Sequence, residues 1–247
     1  MNKQEFLSLL SENTDDSQVI RGIFNWCDRW CEKCTKTDFC TVYKTSVRLP
    51  SDTPEDFFNS ISLLFEATME MLGDYFKDLD IELESLDESL ENTDFEDEDI
   101  EEKYSFPDDG ALNLAKQYGK QVKHWLAVLK KKNTFSMEVR LQDEMLADCM
   151  EVIHWYQHLF EVKMSSALMA QKYEKEESLN PYDSLGNAKL LLVSIERNIA
   201  AWGYLYQKFK DDEDEILDIL VSLQRLSKII EQLFPEARAF IREGLDG

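Results

Sequence analysis

The sequence predicts an all-α protein, an antiparallel helical bundle, and three observations carry that expectation. Apolar residues recur at three- and four-residue spacing over long runs, the period of one face of a helix. Glycine is scarce, with 8 in 247 residues, against an average usage of about 7%. No glycine-rich phosphate loop or dinucleotide fingerprint occurs, and both need glycine at set positions. Short connections between long amphipathic runs imply antiparallel neighbours in one bundle, so residues 1–247 are expected to form one helical domain.

The elements follow in chain order. Residues 2–10 fit a short helix with Phe6, Leu9 and Leu10 inward, and residues 15–17 can cap the next one. From Ile20 the spacing stays helical through Ile23, Phe24, Cys27, Trp30, Cys31 and Cys34, while residues 35–49 read as irregular. Residues 1–49 are thus an N-terminal cysteine-bearing segment. Thr53 and Pro54 announce a helix as cap and first helical position. Its apolar stripe, expected to face the core, is Phe57, Ile61, Leu64, Phe65, Thr68, Leu72, Tyr75, Phe76 and Leu79.

An acidic insertion follows over residues 78–107. Residues 78–102 hold fourteen Asp or Glu and no Lys or Arg. Without them the formal net charge of −23 would be −9. So dense a run cannot bury its side chains, and residues 91–102 are expected to be mobile. The next helix starts at Pro107 and carries Leu112, Ala115, Tyr118, Val122, Trp125 and Leu129 inward; its Lys130, Lys131 and Lys132 suit the C-terminal dipole. One long helix is expected over residues 135–174, interrupted after it by Asn180 and Pro181. Ala188, Leu192, Ile195, Ile199, Trp202, Tyr206 and Phe209 mark another helix, which residues 211–214 break or cap. Ile216, Leu220, Leu223, Ile230 and Leu233 mark a further one, and Pro235 starts or kinks a short last helix.

Charge and apolar runs bound the partners. A surface this acidic repels phosphate backbones, so nucleic acid is not an expected partner; the acidity is compatible with a basic protein partner and is also an ordinary route to solubility. No apolar run approaches the length of a membrane span, and the N-terminus lacks the apolar core of a signal peptide. A cytoplasmic protein is expected. In a reducing compartment clustered cysteines read as metal ligands or redox groups more readily than as disulfides.

Cys27, Cys31, Cys34 and Cys40 form such a cluster, with spacing C-x3-C-x2-C-x5-C. Four thiolates this close can complete a zinc site or an iron–sulfur cluster. On a regular helix Cys27 and Cys34 would lie about 10 Å apart along the axis, whereas sulfurs sharing one zinc sit about 3.7 Å apart. The helix must therefore break near Lys33, after which Cys31, Cys34 and Cys40 could serve, or the site must be as wide as a cluster. Core packing and a thiol–disulfide switch are the alternatives. Cys149, on the apolar face of the long helix, is expected to be core.

The triplet also resembles the cluster motif of radical SAM enzymes, but that family's barrel needs strand alternation that this chain lacks. The run FNWCDRWCEKC resembles a segment of uncharacterised bacterial proteins, and the resemblance covers only this stretch and implies no activity.

Glu151 and His154 form an E-x-x-H pair, the spacing used by ferritin-like di-metal carboxylate proteins. With His158 and Glu196 they make a weaker second metal candidate. Helical angles turn Glu151, His154 and His158 away from the main apolar stripe, and only one such pair exists. Glu196 lies beside the core stripe near Ala200 and Gly203, small residues that allow close helix approach or room for a ligand. Three functions follow from these residues: a metal- or cluster-binding protein, an acidic protein–protein interaction module without metal, and a di-metal carboxylate protein.

Overall fold

The computed structural model describes residues 4, 5, 7, 8, 17–47, 49, 53–78, 109–131, 143–174 and 182–246. Outside them lie Phe6, Leu9 and Leu10, the cap at 15–16, the acidic insertion beyond Asp78, the start of the expected long helix, and Asn180 with Pro181. Among the described residues every regular element is a helix and none is a strand. The chain divides into two compact units, one of Met1–Phe24 and Cys31–Ser105, the other of Asn25–Trp30 and Phe106–Gly247.

The first unit contains α1 (Thr41–Ser46) and α2 (Pro54–Asp78). The Thr53 hydroxyl oxygen accepts the Asp56 amide at 3.1 Å and the hydroxyl donates to Asp56 Oδ2 at 2.7 Å, so Thr53 caps α2 as its sequence indicates. Ala67 of α2 is buried, with Leu7, Leu49 and Leu63 packed against it.

The second unit is the bundle: α3 (Asp109–Lys131), α4 (Glu144–Tyr156), α5 (Leu159–Glu174), α6 (Asp183–Lys208) and α7 (Glu213–Leu233). Helix α6 is central and packs on α4, α5 and α7, while α3 packs on α5 and α7. The sequence stripes become its core: Tyr118, Val122 and Trp125 of α3, Leu192, Ile195 and Trp202 of α6, and Ile216, Leu223 and Ile230 of α7 are all buried. Cys149 is buried among them. A polar string runs through this core. Trp202 Nε1 donates to the Tyr118 hydroxyl at 3.3 Å, Tyr118 donates to Asn198 Oδ1 at 2.7 Å, and Asn198 Nδ2 donates to the Ser194 carbonyl at 3.0 Å. Burial raises the Tyr118 pKa, so the hydroxyl stays a neutral donor. Satisfied polar groups in an apolar core fix one register between α3 and α6.

Four expectations are corrected. The helix over 20–34 is absent: residues 20–30 are turns and irregular chain, followed by a 3-10 turn at Cys31–Lys33. Arg29 sits at φ 59°, a left-handed conformation that ends any regular helix there. Residues 35–49 are in turn partly regular, with a 3-10 turn at Thr37–Phe39 and then α1. The long helix is two helices that part at Gln157 and His158. There the Gln157 carbonyl faces Gly119 of α3, where a Cβ would stand only 2.9 Å from that oxygen. Helix α4 also begins at Glu144 and not at 135, because Asp143 is a non-helical cap whose carboxylate accepts the Leu146 amide at 3.0 Å. Its pKa is lowered chiefly by the hydrogen bond from Lys208, then by that amide. Finally, the chain beyond Pro235 forms turns and no helix.

Gly186 and Gly203 of α6 differ in what surrounds them. A Cβ at Gly186 would lie 2.4 Å from the Trp26 indole carbons, whereas one at Gly203 would meet nothing within 4 Å. No close helix approach is made at Gly203, where the space is open, whereas Gly186 is the glycine against which the Trp26 ring lies. Gly203→Ala should stabilise the protein by about 0.5–1 kcal/mol through helix propensity. Gly186→Ala should destabilise it by about 1–3 kcal/mol, because the indole must move. Denaturant melts of both variants beside the parent check the opposite signs.

Candidate functional site

Asn25–Trp30 belongs to the bundle unit although its chain neighbours belong to the other, and its side chains seat it there. Trp26 Nε1 donates to Asp183 Oδ1 at 3.0 Å at the start of α6, and its ring meets Phe240 edge-on at 5.1 Å. Arg242, buried and paired with Asp246 at 2.6 Å, donates to the Trp26 carbonyl at 3.2 Å. Trp30 stacks on Trp155 of α4 with ring centres 5.1 Å apart and meets Tyr156 edge-on. Asp28 is the hub. Its Oδ2 accepts the Tyr156 hydroxyl at 2.6 Å and Arg197 Nη1 at 3.0 Å, its Oδ1 accepts the Trp30 amide at 3.2 Å, and its carbonyl accepts Trp155 Nε1 at 3.0 Å.

This carboxylate accepts three hydrogen bonds from the chain and so ties the hexapeptide to α4 and α6. The Tyr156 pKa is pushed up to about 12, by burial first and then by the Asp28 carboxylate. Lys163 donates to the Asn25 carbonyl at 3.4 Å, and burial lowers its pKa while the nearby Cys27 acts in the opposite direction. Sequence reading missed Asp28 and Arg197. The available signal was an acidic residue set between two tryptophans, an arrangement that suits a seated segment better than a solvated helix face.

The four clustered cysteines are half-buried thiols. Cys27 lies in the seated hexapeptide and Cys31, Cys34 and Cys40 lie in the first unit. Within that unit the Ile20 amide donates to the Phe39 carbonyl at 3.0 Å, which closes the segment into a loop. With no helix over 20–34 there is none to break at Lys33; a 3-10 turn ends there, and Cys34 Sγ accepts the Lys36 amide at 3.4 Å. Among the described residues, however, no three His, Cys, Asp or Glu side chains form a group that could hold a metal ion.

The second candidate set is spread over the surface. Glu151, His154, His158 and Glu196 are all exposed, as is His124. Glu196 pairs with Arg238 at 2.7 Å, and the same guanidinium pairs with Glu231. That is a solvated ion-pair network.

Of the expected inward stripe of α2, the described side chains Ile61, Leu64, Phe65 and Thr68 are instead exposed, and the rest lie outside the described side chains. Phe65 is 67% exposed, Met69 52%, Ile61 47% and Leu64 43%, and Phe58 is exposed on the same side. The face that packs on Leu7 and Leu49 is the opposite one, through Leu63 and Ala67. Among the described residues no helix is long and apolar enough to cross a membrane. No protein-family model, curated protein or solved structure matches the chain.

The Asp28 hub makes a double-mutant prediction. Asp28→Ala removes the acceptor of the buried Tyr156 hydroxyl and should cost about 1–3 kcal/mol. Combined with Tyr156→Phe it should cost less than the two changes added, because the orphaned hydroxyl is gone. The sign of the pH dependence follows from the raised Tyr156 pKa. The stabilisation is whole below the unfolded value near 10 and falls by about 1.4 kcal/mol per pH unit as the pH climbs toward the folded value. Stability measured from pH 9 to pH 11 should therefore fall less steeply in Tyr156→Phe than in the parent.

Proposed function

We propose that the protein is an acidic interaction module, whose partner is a basic protein held on α2. The observation that carries this is the exposed apolar face of α2. Aromatic and aliphatic side chains gathered on one surface are the usual mark of an interaction site. The surrounding charge supports a basic partner: α2 carries six acidic residues against the single Lys77, in a chain of net charge −23. A cytoplasmic setting belongs to the same reading, and there all five cysteines stay reduced.

If this reading holds, Phe65→Asp should change stability by less than about 0.5 kcal/mol, as a surface substitution does. A photo-crosslinking residue at position 65 in the producing cells should trap a basic protein, and Ile61→Asp with Leu64→Asp should abolish the product. A large stability loss would show that the face is packed. Identical products from a crosslinker at the exposed Lys228 would show that α2 has no special role.

A second reading, a zinc or iron–sulfur protein, has one observation in its favour. Cys34 Sγ accepts the Lys36 amide just after a 3-10 turn, and an amide donated to sulfur favours the thiolate form that a site on Cys31, Cys34 and Cys40 would use. The sulfurs would have to draw together around the ion, and such closure couples binding to folding. On this reading anaerobically purified protein carries stoichiometric zinc or iron, and Cys40→Ser releases it and lowers the melting temperature. A metal-free parent rules the reading out.

A further inference from the structure

We infer that the element bound by α2 is an amphipathic α-helix that carries its Lys and Arg residues along one edge of its apolar face. This deepens the interaction reading above and rests on it. Phe58, Ile61, Phe65 and Thr68 follow one another at alternating three- and four-residue steps, the a/d spacing of a helix–helix seam. From Phe58 to Met69 the seam runs about 17 Å, or three turns. An extended peptide gains most from the unpaired edge of a sheet, and α2 offers it only side chains. A helix can interleave its own three- and four-residue ridges with those of α2.

The charge pattern restricts the partner further. Measured round the α2 axis from Phe65, Met69 lies at about 40°, while Glu55, Glu66 and Glu70 lie between about 80° and 140°. These acids form a ridge along one border of the apolar face. On the far side of that face no acid lies next to the seam, since Leu64 and Thr68 border it. Basic residues on one edge of the partner would meet this ridge, and on the other edge they would meet none. A second copy of this chain fits poorly, because it would set one acidic α2 against another.

The test uses the full-length chain and a designed helical peptide with Leu at its a and d positions and Lys along one edge. Its control peptides have the same composition, with the Lys residues scrambled or moved to the other edge. Titration calorimetry should show binding of the first peptide at least tenfold tighter than of either control. The Phe65→Asp variant should weaken it tenfold or more, and Glu55→Lys with Glu66→Lys should remove the preference for one edge. Equal affinity for all three peptides overturns the inference and leaves an interaction driven by charge alone. No binding of any peptide, with the position-65 crosslink to a basic protein intact, overturns the helical partner but not the interaction reading. Loss of that crosslink sinks both. A concentration-dependent dimer in sedimentation, abolished by Phe65→Asp, names the second copy as the occupant and also overturns the inference.

Discussion

The seating of Asn25–Trp30 on the helical bundle is the constraint from which this hexapeptide takes its form. Six residues place two indoles and one carboxylate where α4, α6 and the C-terminal turns each supply a partner. Asp28 gathers Tyr156, Arg197 and Trp155 within hydrogen-bond distance, and Arg242 holds the Trp26 carbonyl. A helix over these residues would send Trp26 and Trp30 to one side, four positions apart. The left-handed Arg29 between them lets the two rings reach different parts of the bundle. Lys163, Arg242 and Trp155 of the bundle donate to the Asn25, Trp26 and Asp28 carbonyls of the hexapeptide.

Helix α6 makes that seat possible. Its N-terminal turn presents Asp183 and the gap at Gly186, its middle presents Arg197, and about 60° to 140° further round its axis Ser194, Asn198 and Trp202 lie buried in the core. These buried groups set the rotation of the helix, and that rotation aims the groups that receive the hexapeptide. The Asp143 cap adds a second anchor, since the carboxylate that starts α4 also accepts Tyr204 at 3.0 Å and Lys208 at 2.7 Å from the end of α6.

Much of this was legible in the sequence where periodicity and burial agree. The stripes of α3 and α7 report their own core faces because each of these helices is covered on one side by its neighbours, and that of the central α6 because Ala188, Leu192, Ile195 and Trp202 of its stripe are among its buried positions. Thr53 and Pro54 report the start of α2 because capping is local chemistry. The cysteine segment was misread because Ile20, Phe24, Cys27 and Cys31 satisfy a helical period without forming a helix; their neighbours Trp26 and Trp30 have stronger partners elsewhere. The same limit applies to α2. Periodicity shows that Ile61, Leu64 and Phe65 share a face, but not what covers that face, and here the covered side is that of Leu63 and Ala67. The acids and histidines at Glu151, His154, His158 and Glu196 match a ligand spacing but sit on surfaces that never converge. Asp28 and Arg197 escaped notice because a hub formed across 169 positions of sequence leaves no spacing to read.

The claim that Asn25–Trp30 is an integral part of the bundle is tested most directly by hydrogen exchange at the indole N–H groups, followed by nuclear magnetic resonance. Trp26 and Trp155 each donate at 3.0 Å across the seat, to Asp183 and to the Asp28 carbonyl. Both indole protons should exchange far more slowly than a free indole, and Asp28→Ala, which unties the carboxylate from Tyr156 and Arg197 but keeps the carbonyl that accepts Trp155, should speed both by loosening the seat while leaving the α6 amides protected. Exchange of both at the free rate in the parent, with the α6 amides still protected, would mean that the hexapeptide is not seated and that the bundle is complete without it.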